Sequence, residues 1–161
     1  MVENMFSRLS QFLTKSKLSE EERSFITQLS SARIWILAVG LRGTPRLSSD
    51  LNDPENLSII AAHRIKASDV SEEDSVFSYN YYADDRQILP FFTTEDRAKE
   101  FAAKTFRPDE LDIFQPCDLL AGFVATPENE TFRLVLDPGS AAERIISHDQ
   151  RMLLRSLTSE R

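Results

Sequence analysis

The chain has 161 residues, a hydrophobic content of 41% and a formal net charge of −7. This length and composition exclude wholesale disorder and predict one globular domain, and the excess of carboxylates argues against a nucleic-acid binder, whose affinity rests largely on Lys and Arg. The longest nearly uncharged apolar run, residues 34–41, is far shorter than the ~20 residues that span a bilayer. The N-terminus also lacks the features of a secretory signal, so we expect a cytoplasmic protein without a membrane partner.

The first thirty residues are predicted to be helical. After a break near Lys17, Ser19 and Glu22 form a capping-box pattern that predicts a second helix ending at about Ser30. The apolar side chains of the first helix share one face, which favours docking on the protein's own core: Met5, Phe6, Leu9, Phe12 and Leu13.

Two strands are predicted next, on either side of a long connection. Residues 33–41 are rich in β-branched and aromatic side chains, and their continuous apolarity indicates a strand covered on both faces. Residues 42–56 contain a glycine and two prolines and are predicted to be a connection. Residues 57–66 are predicted to form the second strand.

A β-hairpin is predicted in the middle of the chain. Residues 75–82 alternate between apolar and polar side chains, and Asp84 and Asp85 form a turn into a partner strand at 87–92. Its exposed edge is compatible with pairing to a second copy of the chain, or with coverage by a loop or helix.

A helix is predicted at 95–104, with Thr93 or Thr94 as its N-cap. A short strand is predicted at 111–115. Pro116 suits the first position of a helix that extends to about residue 123.

The last third is predicted to hold a strand at 131–136, an extended piece at 144–146 and a helix at 148–157 opened by a capping box of Ser147 and Gln150. The whole order predicts an α+β fold. We expect one mixed β-sheet of about five to six strands with N-terminal helices, two middle helices and a C-terminal helix.

An acidic segment, residues 67–85, carries six carboxylates and no Lys or Arg. It is typical of a solvated loop, and alternatively forms an acidic face for a basic partner. Alternating aromatics need only one buried face, so the tyrosines beside it are either core residues or exposed anchors. The candidate interaction surface comprises Glu72, Glu73, Asp74, Tyr79, Tyr81, Tyr82, Asp84 and Asp85.

The inventory of catalytic groups is small. The chain has two histidines, His63 and His148, and one cysteine, Cys117, with no spacing typical of a metal site. We therefore expect no enzymatic activity, no metal and no cofactor. An enzyme that uses Cys117 as its nucleophile stays as a third hypothesis, and it predicts a reactive thiol of low pKa.

The stretch Asp137-Pro138-Gly139-Ser140 follows an apolar run, as many phosphate-binding loops do. However, Pro138 removes an amide donor and Gly139 stands alone. The pair suits the centre of a type II turn. We expect Asp137 to accept hydrogen bonds from amides one or two residues further on.

Three segments resemble the N-terminal domain of the SseB family, named for an enhanced-serine-sensitivity phenotype. They are LPFFTTEDRAKEF (89–101), the expected helix CDLLAGF (117–123), and FRLVLDPGS (132–140), where Asp137 replaces the family's Asn. The resemblance implies a bacterial α+β protein with an accessory or interaction role and no established catalytic residues. We expect a single SseB-like domain over 1–161, with a helical N-terminal segment at 1–30 and an α+β core at 31–158.

The leading functional hypothesis is a non-enzymatic module that binds another protein. Within this class, an immunity protein that neutralises a basic toxin is one form, since acidity would steer that encounter. The alternative is a binder or sensor of an amino acid or anion. It would use the DPGS turn and the first-turn amides of the last helix.

Overall fold

A computed structural model describes residues 17–48, 53–108 and 110–159. In these ranges the chain forms four α-helices: α1 (Glu20–Ser30), α2 (Pro54–His63), α3 (Glu95–Thr105) and α4 (His148–Ser159). The same ranges hold eight β-strands: β1 (Arg33–Leu41), β2 (Arg64–Ile65), β3 (Ser75–Ser78), β4 (Tyr81–Ala83), β5 (Arg86–Phe91), β6 (Gln115–Leu120), β7 (Arg133–Leu136) and β8 (Arg144–Ile145). The predicted α+β class is confirmed, and the helix predicted before Lys17 lies outside the described residues.

The strands form two four-stranded sheets rather than the single sheet that we predicted. In the first, β1 pairs antiparallel with β2, β3 and β6. The second has the order β4-β5-β7-β8 and contains the parallel pair β5–β7. The sheets meet where Trp35 and Phe92 exchange two backbone hydrogen bonds of 2.8 Å. The predicted mixed strand directions are therefore present, but they are divided between two joined sheets.

The central strand β1 is buried on both faces, as its continuous apolarity predicted. Its two sets of alternating side chains enter two different hydrophobic clusters. The first cluster joins both sheets to α1 and α4 and includes Ile26, Ile34, Ile36, Leu89, Phe91, Leu134, Leu136, Leu153 and Leu154. The second lies under α2 and α3 and includes Leu37, Val39, Leu41, Ile60, Phe92, Ala98, Ala102 and Phe114.

The strand predicted at 57–66 is wrong: this segment is helix α2, followed only by the short strand β2. Asp53 caps the helix, since its carboxylate accepts a hydrogen bond of 2.9 Å from the Glu55 amide. Pro54 stands in the first turn, where its missing N–H costs nothing. A short apolar run does not distinguish a buried strand from a helix, and the capping signal decides between them.

The helix predicted from Pro116 to about residue 123 is also wrong. The segment forms β6 and then a 3₁₀ helix, Ala121–Ala125. Proline is tolerated in a strand that pairs on one side only, and β6 pairs with β1 alone. Of the strand predicted at 111–115, residues 111–114 form a turn region, and Gln115 is the first residue of β6.

Several local predictions are confirmed. Both capping boxes are present: Ser19 and Glu22 open α1, and Ser147 and Gln150 open α4. Thr94 caps α3 by accepting a hydrogen bond from the Arg97 amide. Each cap involves residues within one helical turn of each other, and for this reason the sequence alone predicts it.

Candidate functional site

The β4–β5 hairpin turns through two aspartates. Asp84 and Asp85 have φ values of 51° and 58°, the left-handed conformation that a two-residue hairpin loop requires. The turn is therefore where the sequence predicted it. The strand predicted at 75–82 divides after Ser78, because β3 joins the first sheet and β4 the second.

The tyrosine row has two environments. Tyr79 lies edge-on to Phe106 and Phe114, with ring centroids 4.8 and 5.3 Å apart, and it stacks on Tyr81 at 6.1 Å. Burial raises the pKa of both tyrosines. Tyr82 is instead 71% exposed. Tyr79 and Tyr81 are therefore half-buried members of an aromatic cluster, whereas Tyr82 is exposed.

The predicted acidic surface is also divided. The Asp74 carboxylate accepts hydrogen bonds from the Ser71 amide at 3.0 Å, the Ser71 hydroxyl at 2.9 Å and the Gly43 amide at 2.9 Å. These bonds, the Ser71 amide foremost, lower the pKa of Asp74. Glu72 and Glu73 beside it are exposed. Asp74 therefore holds a loop in place rather than facing a partner.

A groove of about 690 Å³ lies beside the hairpin, where β5 and β7 begin and α4 starts. We call it the hairpin groove. Tyr82 lines it, as does Ile145 of β8, which is 56% exposed. Arg86 and Arg133 contribute two cationic groups to its lining, and Asp85 and Glu130 contribute two exposed carboxylates.

One wall of the hairpin groove is fixed from inside by Arg151 of α4. Its guanidinium donates hydrogen bonds to the carbonyl oxygens of Asn129 at 3.2 Å, Glu130 at 2.9 Å and Phe132. The side chain is buried, and desolvation lowers its pKa. Because Arg151 is buried and bonds these carbonyl oxygens, the other arginines of the hairpin groove are the exposed Arg86 and the half-buried Arg133.

The sequence did not identify Ile145, Arg86 or Arg133 as site residues. Each is unremarkable in its own segment, and only the pairing of four strands brings them together. The signal that the sequence offered was the apolar residue Ile145 in a very short extended segment. Such a signal is weak without knowledge of the neighbouring strands.

The DPGS turn has the predicted form. The Ser140 amide donates to the Asp137 carbonyl at 3.2 Å, and Gly139 has a φ of 77°. The expectation for the Asp137 side chain was wrong, however. It does not bond the following amides but accepts from the Thr93 amide and hydroxyl, both at 2.8 Å, and pairs with Arg97 of α3. The carboxylate is 1% exposed, so the turn anchors α3 to the end of β7.

A cavity of about 280 Å³, the turn cavity, lies between the DPGS turn and α3. Arg97, Glu100 and Lys104 supply its charged groups and Phe101 an aromatic surface. The amides of the first turn of α4 do not contribute, because Ser147 and His148 line the hairpin groove instead. The two elements of the predicted ligand site are therefore not brought together.

The described residues offer little for covalent or metal chemistry. Burial raises the pKa of the Cys117 thiol, which is the opposite of what a nucleophile needs. His63 and His148 are both exposed, and His63 bonds the Ile59 carbonyl of its own helix at 2.9 Å. Between residues 17 and 159, in the ranges described, no group of three metal-ligating side chains occurs, and none of the helices is long and apolar enough to cross a membrane.

Comparison with known proteins gives no further guidance. No protein-family model matches the chain, and neither the curated proteins nor the solved structures contain a significant match.

Proposed function

We propose that this protein is a non-enzymatic interaction module that binds a partner protein through the hairpin groove. The observation that carries the proposal is that Tyr82 and Ile145 are both exposed and both line the hairpin groove, which has a volume of about 690 Å³. Exposed aromatic and aliphatic side chains next to a concave surface are typical of protein-binding sites. The raised pKa of Cys117 supports the non-enzymatic part.

An SseB-like accessory role in a bacterial cytoplasm is part of this proposal. It rests on the resemblance of three segments, two of which meet at the contact between Asp137 and Thr93. The third, 117–123, is a strand and a 3₁₀ helix where the resemblance implied an α-helix, so it does not add to the support.

The test is affinity capture from an extract of the source organism with the full chain as bait. We expect Tyr82→Ser to weaken capture of the partner by about 30-fold, which corresponds to the ~2 kcal/mol of an aromatic interface anchor. Phe123→Ser is the matched control, because Phe123 is 55% exposed but does not line the hairpin groove. Equal capture by wild type and Tyr82→Ser would contradict the proposal.

A second candidate is the binding of a small anion or amino acid in the turn cavity. It is favoured by the cationic group of Lys104, which lines the turn cavity on the same face of α3 as Glu100 and as Arg97, the ion-pair partner of Asp137. A thermal-shift screen over amino acids, phosphates and nucleotides would reveal a ligand, because saturation raises apparent stability. Lys104→Gln should abolish that shift, and a flat screen would remove this candidate.

A further inference from the structure

We propose that the turn cavity binds a free, zwitterionic α-amino acid with an apolar side chain. This inference rests on the second candidate function, narrows its ligand to one chemical class, and is independent of partner binding at the hairpin groove. It is carried by three charged side chains of α3 that line the cavity, Arg97, Glu100 and Lys104, and by the aromatic ring of Phe101.

The charge of Arg97 is compensated within the fold. Its guanidinium pairs with the Asp137 carboxylate, which is 1% exposed and also accepts hydrogen bonds from the amide and hydroxyl of Thr93. This ion pair anchors α3 to the DPGS turn. The charged groups that remain at the turn cavity are the ammonium of Lys104 and the carboxylate of Glu100, both on exposed residues.

Glu100 and Lys104 are unpaired, although their spacing favours an ion pair. A Glu followed four residues later by a Lys is a stabilising arrangement on a helix. Glu95 and Lys99 have this spacing on the same helix, and their carboxylate and ammonium groups lie 2.6 Å apart. In the described ranges, neither Glu100 nor Lys104 takes part in a hydrogen bond or an ion pair. Helix α3 therefore presents one unpaired charge of each sign to the turn cavity.

One unpaired charge of each sign suits a small ligand that itself carries both charges. The Cβ atoms of residues four apart on a helix lie about 5–6 Å from each other. This spacing lets Lys104 bind a carboxylate while Glu100 binds the ammonium group of the same molecule. A simple anion would be attracted by Lys104 but repelled by Glu100, and a simple cation would meet the reverse. The cavity therefore favours a zwitterion over either one.

Phe101 gives the turn cavity an apolar wall. Its ring is held by aromatic neighbours, with centroid distances of 5.3 Å to Phe92 and 5.9 Å to Tyr81. Phe101 is only half-buried, so part of its ring is open to an apolar side chain of the ligand. The cavity volume of about 280 Å³ corresponds to about nine groups the size of a water molecule, at ~30 Å³ each. This is the size of a single amino acid.

Isothermal titration calorimetry on the full-length protein tests the proposal, with leucine, methionine and phenylalanine as probes. We expect at least one of these amino acids to bind. Its deaminated and decarboxylated analogues each keep only one of the two charges, and we expect both to bind at least tenfold more weakly. Glycine keeps both charges but lacks the apolar side chain, and its binding should be weaker by at least the same factor.

Lys104→Gln and Glu100→Gln should each weaken binding of that amino acid at least tenfold. The matched controls are Lys99→Gln and Glu95→Gln, because these two residues have the same spacing on α3 but do not line the turn cavity. We expect each control to change the affinity less than twofold. Circular dichroism spectra that match wild type would show that all four variants fold.

Absence of binding by all three amino acids, or an equal loss of affinity in the control variants, would overturn the inference. So would equal binding of the deaminated analogue, because a simple anion would then be the ligand of the turn cavity. None of these results bears on the proposed protein-binding function, which fails only if Tyr82→Ser leaves partner capture at the hairpin groove unchanged.

Discussion

The two aspartate turns of this protein place the same chemistry in opposite roles. Asp137, with a φ of 49°, is buried and uses its carboxylate to bind Thr93 and Arg97 inside the molecule. Asp84 and Asp85, with φ values of 51° and 58°, are exposed at the tip of the hairpin. The difference indicates where a binding function can reside. In the DPGS turn the Asp137 carboxylate forms hydrogen bonds inside the fold, whereas the hairpin has exposed aromatic and charged side chains next to its turn.

The largest test of this contrast is Asp137→Ala. Removing the carboxylate deletes three hydrogen bonds, one of them to a guanidinium, and we expect the free energy of unfolding to fall by about 3 kcal/mol. Urea denaturation measures the loss. Tyr82→Ser, on the hairpin side, should change stability by less than ~0.5 kcal/mol. Comparable losses of unfolding free energy in Asp137→Ala and Tyr82→Ser would contradict the contrast between the DPGS turn and the hairpin.

Gly139→Ala tests the backbone of the DPGS turn alone. A Cβ at this position meets nothing within 4 Å, but the φ of 77° is unfavourable for alanine. We therefore expect a loss of about 1 kcal/mol in thermal or chemical denaturation. Gly43→Ala is a close control, since Gly43 has the same φ and the same open space. A much larger loss at Gly139 would mean that the turn also transmits strain to the Asp137 contacts.

On the hairpin side, Asp85→Gly should act in the opposite direction. Glycine adopts a φ of 58° without the steric cost that aspartate carries, and Asp-Gly is a preferred pair for a two-residue hairpin loop. We expect a gain of about 0.5 kcal/mol in the free energy of unfolding, measured by urea denaturation. A loss of stability would show that the Asp85 side chain has a structural role like that of Asp137.

The sequence predicted what depends on neighbouring residues and failed where distant contacts decide. The capping box of Ser147 and Gln150 and the turn at Pro138-Gly139 are signals within four residues, and both are confirmed. The apolar run at 57–66 and the segment after Pro116 are ambiguous by themselves, and their pairing or docking on β1 determines their structure.

The candidate site was predictable to the same extent. The hairpin turn and the alternating tyrosines are visible in the sequence, but the choice of Tyr82 as the exposed member depends on which sheet each strand joins. The contact between Asp137 and Thr93 spans 44 residues, and the diagonal pair Arg86–Arg133 depends on the parallel register of β5 and β7. No local pattern encodes either arrangement.

The smallest predicted effect is a pH-dependent difference in stability within the acidic segment, between Asp74, which is bonded to its loop, and the exposed Glu73. The lowered pKa of Asp74 means that its carboxylate binds a proton less tightly in the folded chain than in the unfolded chain. Its contribution to stability is therefore fully present above its ordinary pKa of 3.8 and disappears as the pH falls through the lower folded-state pKa. We expect Asp74→Asn to be less stable than wild type at pH 6, with the difference vanishing toward pH 2. Glu73→Gln, at an exposed neighbour, should match wild type across that range. Urea denaturation at each pH measures both differences, and a gap for Asp74→Asn that stays constant down to pH 2 would show that the ionised carboxylate is not what holds the loop.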